Sequence, residues 1–168
     1  QIRLWNMASG EEIACRENAT SGGGLAFIDD DHLVFSSGDN GITIWDYAGD
    51  DTVELNGDGQ AVLCLAVSPD GRYLAAGHGI HPLPDETPPG KVVVWDLETH
   101  RQLATLKGHR QFGVYDVDFS PDGTVLASCG DGVLLWDTAT FEQKAAITAH
   151  TAPVWSVSFA SDGRTLAS

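Results

Sequence analysis

A histidine, a serine and an aspartate occur within one short stretch of this chain, as His109, Ser128 and Asp131. A serine activated by a histidine, which an aspartate orients, is the arrangement that many hydrolases use. The residues around Ser128 read LASCGDG, however, and contain no G-x-S-x-G turn that would expose the hydroxyl. We therefore expect no catalytic residue here and a structural role for the three side chains.

A second group of residues could suggest a metal site. Four potential ligands lie near one another in sequence: His78, His81, Asp85 and Glu86. Their spacing matches no standard metal site. We therefore expect neither a metal nor another cofactor.

The three cysteines indicate the redox environment. Cys15, Cys64 and Cys129 lie far apart within apolar runs, and their number is odd. We expect them to be buried, reduced thiols, which places the chain in the cytoplasm.

Nine basic and 24 acidic residues give the chain a formal net charge of −15. Nucleic acids and anionic membranes are poor partners for such a surface, because binding to either depends on lysine and arginine. A basic partner would suit the overall charge better, although excess acid also keeps proteins soluble.

The positions of four tryptophans reveal an internal repeat. Trp5, Trp45, Trp95 and Trp136 are spaced 40, 50 and 41 residues apart, and three of them precede an aspartate. The sequence SPDG occurs at 68–71 and again at 120–123. One insertion, HPLPDETPPG at residues 81–90, explains the long step. The chain is therefore built from units of about 40 residues.

Each unit contains several short runs of strand-forming residues that are separated by Gly, Asp or Pro turns. The best-formed unit predicts four strands, at 114–119, 124–129, 133–138 and 142–148. No segment keeps a helical period, and β-branched residues dominate. Four antiparallel strands in 40 residues make up one blade of a propeller.

The motifs GH, FSPDG, LAS, DG and WD occur in a consistent order and at consistent positions relative to the repeat. In this arrangement the whole chain resembles the WD-repeat (WD40) β-propeller family. The resemblance implies an all-β fold of four-stranded antiparallel blades, with about four repeats in residues 1–168 as a single region. Whole blades are expected at about 23–57, 61–106 and 114–148. Half blades are expected at 1–19 and 153–168.

The resemblance also implies a role for the polar residues of the repeat. In the family, matching residues form a hydrogen-bonded chain from the turn aspartate through histidine and serine to the tryptophan indole. The best matching set is His109, Ser128, Asp131 and Trp136, so we expect this repeat to be the best locked. The matching positions in other repeats are Trp5, Asp39, Trp45, Trp95, His150 and Ser168.

Two regions are candidates for binding a partner. The insertion is a long, proline-stiffened loop that departs from the repeat, and its candidate contacts are His81, Pro84, Asp85 and Glu86. Three aromatic residues fall where the family often contacts peptides near the central opening: Phe112, Tyr115 and Trp155. Large aromatic side chains are good interface anchors, yet they also suit the packing between blades.

The chain supplies fewer repeats than a usual ring, and three explanations are open. It is a fragment of a longer WD-repeat protein, half of an eight-bladed ring made by a homodimer, or a four-bladed monomer. The favoured hypothesis is a non-catalytic scaffold that binds proteins or peptides, cut from a longer chain. The alternative is an accessory or regulatory propeller domain of a larger signalling enzyme, such as a bacterial kinase.

Overall fold

The computed structural model describes residues 1–17, 23–37, 40–56, 59–79 and 89–168. These residues form sixteen β-strands, grouped into five antiparallel sheets that we number I to V in chain order. Nothing in this described part could serve as a membrane-crossing helix.

The strands follow one another regularly along the chain. Sheet I contains β1 (Ile2–Trp5) and β2 (Glu12–Arg16). Sheet II contains β3 (Leu25–Phe27), β4 (His32–Ser36), β5 (Ile42–Asp46) and β6 (Thr52–Leu55). Sheet III contains β7 (Val62–Val67), β8 (Tyr73–His78), β9 (Lys91–Asp96) and β10 (Arg101–Lys107). Sheet IV contains β11 (Asp116–Phe119), β12 (Val125–Cys129), β13 (Val133–Asp137) and β14 (Gln143–Ile147), and sheet V contains β15 (Ser158–Phe159) and β16 (Leu166–Ala167).

Each strand pairs with the next one in sequence, so every sheet is an up-and-down meander. The predicted fold class is confirmed: the chain is all-β and forms a partial, unclosed propeller of four-stranded antiparallel sheets. The predicted first strand of sheet IV begins too early. Its ladder starts at Asp116 rather than at residue 114, because the Val114 N–H donates to the His78 carbonyl of sheet III at 3.2 Å.

Burial follows the strand order within a sheet. The middle strands are rich in β-branched residues and are covered on both faces, as in β9, where Val92, Val93 and Val94 are all buried. The last strand is the most open to water in sheet IV, where every residue of β14 is exposed. This gradient is expected if neighbouring sheets cover one another at their centres and leave the outer strands in water.

The aspartate of the WD motif shapes the turn after the third strand. Asp137 Oδ1 accepts the N–H groups of Ala139 and Thr140, and the chain then reverses at Phe141, whose φ is +58°. The same turn recurs in the other sheets, with positive φ at Gly10, Asp50 and His100. The motif therefore encodes the reversal that leads into the fourth strand.

The SPDG motif shapes the turn between the first two strands. In sheet IV the Ser120 hydroxyl donates to Asp122 Oδ1 at 2.6 Å, and Gly123 adopts a φ of +71° that favours glycine. The hydrogen bond from Ser120 lowers the pKa of Asp122 to about 2, with further help from Thr124. The other copy of the motif forms the same turn in sheet III, where the Ser68 hydroxyl donates to Asp70 Oδ1 at 2.6 Å and Gly71 has a φ of +71°.

The hydrophobic cores lie between sheets rather than within them. The largest joins sheets III and IV, and packs Cys64, Val92 and Val94 against Val117 and Trp136. A second core joins sheets II and III, a third joins I and II, and a fourth joins IV and V. Each sheet is thus buried only by its neighbours in the chain.

Two carboxylates on β11 bind the backbone of sheet V. Asp116 Oδ2 accepts the Val157 N–H at 3.0 Å and the Ser156 hydroxyl at 2.8 Å. Asp118 Oδ2 accepts the Phe159 N–H at 2.7 Å. Because the two aspartates lie two residues apart on one strand, they share a face and hold the entry to β15 against sheet IV.

We predict that Asp118→Ala lowers the free energy of unfolding by about 1–3 kcal/mol, because it leaves the Phe159 N–H without its charged acceptor. Asp51→Ala is the matched control, since Asp51 is exposed and its carboxylate has no hydrogen bond among the described residues. Urea denaturation followed by tryptophan fluorescence measures both. Equal effects of the two substitutions would contradict a role of Asp118 in joining the sheets.

Candidate functional site

Four side chains in sheet IV and in the linker that precedes it form one hydrogen-bonded chain, which we call the polar lock. His109 lies in the linker between β10 and β11, Ser128 on β12, Asp131 in the turn after β12, and Trp136 on β13. His109 Nδ1 lies 2.7 Å from Asp131 Oδ1, and its Nε2 lies 2.9 Å from Ser128 Oγ. The Trp136 indole N–H donates to the same Oγ at 2.9 Å.

The hydrogen-bonding capacity of these groups determines where the protons lie. The indole N–H can only donate, so Ser128 accepts from it and donates its own proton to His109 Nε2. The proton of His109 is then on Nδ1 and is donated to Asp131. Burial lowers the pKa of His109, although the hydrogen bond and charge of Asp131 oppose this shift. A neutral histidine therefore satisfies every member of the polar lock.

Asp131 also fixes the linker that carries His109. Its second carboxylate oxygen accepts the Arg110 N–H at 2.9 Å. Burial alone would raise the pKa of Asp131, but the hydrogen bonds from Arg110 and His109 bring it below its ordinary value. The charged carboxylate thus ties two successive linker residues to the turn after β12.

The geometry of the polar lock suits structure better than catalysis. Ser128 has no exposed surface, so a substrate carbonyl cannot reach its hydroxyl. The oxygen also accepts the Trp136 indole N–H, which lowers its nucleophilicity. The arrangement resembles a hydrolase triad only in the types of residue that it contains.

The equivalent positions in sheets II and III lack the serine. Phe35 fills the place in sheet II, and the Trp45 indole N–H instead donates to Asp50 Oδ1 at 3.1 Å. Ala76 takes the place in sheet III, and the buried Trp95 Nε1 has no hydrogen-bond partner among the described residues. Sequence reasoning missed Asp50, because the matching turn positions elsewhere hold Gly, His or Phe and give no repeating signal.

Three further predicted lock residues, His150, Ser168 and Trp5, lie apart from this network. His150 Nε2 is 2.8 Å from Ser168 Oγ in sheet V, and both residues are exposed. Trp5, at the end of β1, is 52% exposed. Asp39 lies outside the described residues.

The three candidate aromatic residues lie side by side where β11 and β15 begin; we call them the aromatic group. Tyr115 and Trp155 stack at 4.4 Å between ring centroids, with 19° between their planes. Phe112 lies 6.4 Å from Tyr115. Trp155 is 56% exposed, whereas Phe112 and Tyr115 are half-buried. The structure therefore brings all three together at one face.

The candidate contacts in the insertion, His81, Pro84, Asp85 and Glu86, lie outside the described residues. Their neighbour His78 is buried, and its Nδ1 is 3.2 Å from the Gln60 carbonyl. Burial lowers its pKa, and Gln60 opposes the shift. Over the described ranges, no cluster of three potential ligands could hold a metal ion.

The three cysteines are free thiols. Cys64 and Cys129 are buried as expected, and burial raises the pKa of Cys129 to about 12. Cys15 is only half-buried, because the sheet that carries it has a neighbour on one side.

We predict that Trp136→Phe destabilises the chain by about 1–2 kcal/mol more than Trp95→Phe does. Both changes remove the same atoms from a buried site, but only the first also removes a hydrogen bond to Ser128. Chemical denaturation of the two variants measures the difference. Equal losses would show that the polar lock contributes nothing beyond packing.

We also predict that acidification from about pH 7.5 to 5.5 lowers the free energy of unfolding. His78 and His109 have folded pKa values below the ordinary value of about 6.5, so the unfolded chain takes up protons first. Their contribution is present above that pH and is lost below it. Urea denaturation at several pH values across this range measures the change in the free energy of unfolding. The change with pH should be smaller in the His78→Asn variant. A flat profile would contradict it.

Comparison with known proteins places these features in a family. The profile described as "WD domain, G-beta repeat" matches residues 49–81, 100–137 and 141–168, more than half of the chain. The segment 100–137 covers β10 and then β11, β12 and β13. One sequence repeat thus joins the outer strand of one sheet to three strands of the next.

Individual relatives share this region. Meiotic recombination protein rec14 of Schizosaccharomyces pombe is 32% identical over 114 residues, which cover 66% of this chain and 34% of rec14. Transcription factor unc-37 of Caenorhabditis elegans is 34% identical over 116 residues, 67% of this chain and 17% of that protein. Cilia- and flagella-associated protein 52 of Chlamydomonas reinhardtii is 34% identical over 90 residues, 51% of this chain and 14% of its own length.

The aligned region therefore spans about a third of rec14 and less of the other two relatives. The profile covers more than half of the residues, and its segment at 100–137 begins and ends at strand boundaries of the sheets. This chain therefore belongs to the WD-repeat family of β-propeller proteins.

Proposed function

We propose that the chain is a non-catalytic scaffold that binds a protein or peptide through the aromatic group. The observation that carries the proposal is the stack of Tyr115 and Trp155, which presents a large, half-exposed indole on a rigid base. Tryptophan and tyrosine are enriched among the residues that dominate binding energy at interfaces. Stacking also restricts the indole before binding, which reduces the entropy that binding costs.

The relatives support the same type of function. Their names refer to meiotic recombination, to transcription and to cilia and flagella, which have no common reaction. The repeat region is what they share with this chain. A rigid propeller with variable surface residues fits such different settings, because folds of this kind carry function in sites on their faces.

The interior supports a scaffold rather than an enzyme. The serine, histidine and aspartate that could have formed a triad are used in the polar lock, where they bond to one another and to Trp136. Buried polar groups that satisfy one another make a core rigid. A rigid core holds the aromatic group in place for binding.

We predict that peptides selected by this chain from a random phage-displayed library lose about tenfold or more in affinity with Trp155→Ala. Trp5→Ala is the matched control, because Trp5 is exposed to nearly the same degree on sheet I. Fluorescence polarisation measures binding, and circular dichroism checks that both variants fold. Selected peptides that bind equally well to Trp155→Ala would refute the aromatic group as the site.

A further inference from the structure

A cleft lies beside the polar lock, where the linker between β10 and β11 runs over sheet IV. Its volume is about 400 Å³. Its lining includes the cationic side chains of Lys107 and Arg110 and the apolar side chains of Leu134 and Ile147. The cleft therefore combines two cations with an apolar wall, and its size is within the range of ordinary ligand sites.

Neither cation of the cleft is neutralised by an acid of the described part of the chain. Acidic residues outnumber basic ones by 24 to nine, and Arg3, Arg16, Arg72 and Lys144 each form a salt bridge with a nearby acid. Across the described ranges, Lys107 and Arg110 form none, which is also true of Arg101 and Arg164. Both side chains are exposed at the cleft, where their charges are available to a ligand.

The strand pairing adds positive charge at the same edge. Lys107 lies directly opposite Lys91 in the ladder between β9 and β10. Like charges in this position are destabilising. Burial lowers the pKa of Lys91, and the charge of Lys107 lowers it further.

Asp131 also lines the cleft, but its carboxylate is already bound on both oxygens. One oxygen accepts from His109 and the other from the Arg110 N–H. These bonds fix the start of the linker, so the backbone that carries Arg110 is rigid. The cation beside the cleft is positioned before any ligand arrives.

We propose that this cleft binds a short acidic segment of a partner protein. Lys107 and Arg110 pair with its carboxylates, and Ile147 and Leu134 contact an apolar side chain next to them. Ile147 is 40% exposed, so part of the apolar wall is open to such a contact. A short peptide suits the site better than a nucleic acid does, because a long polyanion would meet the negative charge of the remaining surface.

This inference goes beyond the proposed function, because it assigns a second site and the chemistry of its ligand. The cleft does not include the aromatic group. Both nevertheless depend on one linker, which supplies Arg110 to the cleft and Phe112 to the aromatic group. A partner that reaches both would combine an acidic segment with an anchored aromatic contact.

The test uses two fluorescent peptides, Glu-Glu-Leu-Glu-Glu and its uncharged counterpart Gln-Gln-Leu-Gln-Gln, with fluorescence polarisation at low salt. We expect the affinity of the acidic peptide to be at least about tenfold higher than that of the amide peptide. We also expect the affinity of the acidic peptide to fall as salt is added. The double substitution Lys107→Glu and Arg110→Glu should abolish that difference. Equal binding of the two peptides to the unmodified chain would overturn the proposal.

The matched control is the pair Arg101→Glu and Arg164→Glu, which changes the net charge by the same amount at two sites away from the cleft. If both pairs weaken binding equally, only the net charge acts and the proposal is wrong. Lys107→Gln with Arg110→Gln serves as a second test in case the reversed charges perturb folding.

Trp155→Ala should leave binding of the acidic peptide unchanged, which separates this site from the aromatic group. If inorganic phosphate displaces the acidic peptide with an affinity equal to that of the peptide itself, the cleft is a phosphate site and the peptide assignment is contradicted.

Discussion

Each four-stranded sheet has two apolar faces, and only a neighbouring sheet can keep water from them. The middle strands show this constraint most clearly, since Val92, Val93 and Val94 are all buried although they point alternately to opposite sides. Each of the four cores that the described residues form is therefore shared by two sheets. The sequence repeat crosses the same boundary, because it joins the outer strand of one sheet to the inner strands of the next. Packing and covalent connection thus reinforce each other.

Polar groups inside these shared cores are costly without partners, and the three central sheets differ in whether they provide one for the buried tryptophan. Sheet IV has the serine that lets histidine, aspartate and indole bond in one chain. Sheet II replaces the serine with Phe35 and directs the Trp45 indole to Asp50. Sheet III has only Ala76 there, so the packing around Trp95 stabilises it without the hydrogen bond. Sheet IV is accordingly the most specifically constrained part of the molecule.

The linker between β10 and β11 connects this interior constraint to the surface. His109 and the Arg110 N–H are both bound by Asp131. A few residues further on, the Val114 N–H bonds to sheet III and the Tyr115 N–H bonds to Cys129. The linker is therefore held at both ends, and its side chains reach the cleft and the aromatic group from a rigid backbone. A functional surface built on such a segment gains its precision from the core beneath it.

Much of the architecture could be predicted from the sequence. Turn residues, alternating apolar runs and the period of about 40 residues are local properties, and they predict four antiparallel strands in each unit. The resemblance to the WD-repeat family further implied that His109, Ser128, Asp131 and Trp136 form a hydrogen-bonded set, and these bonds are present in sheet IV.

Other features were decided only by the tertiary structure. Asp116 and Asp118 bind backbone groups about 40 residues away on the next sheet, and no local pattern predicts that contact. The grouping of Lys107 and Arg110 with Leu134 and Ile147 at one cleft likewise depends on how strands and linkers meet. The sequence by itself determined the strands and turns, since these follow from short-range periodicity and backbone preference. Which surfaces of the sheets meet, and which polar groups then face one another, was set by packing between segments far apart in the chain.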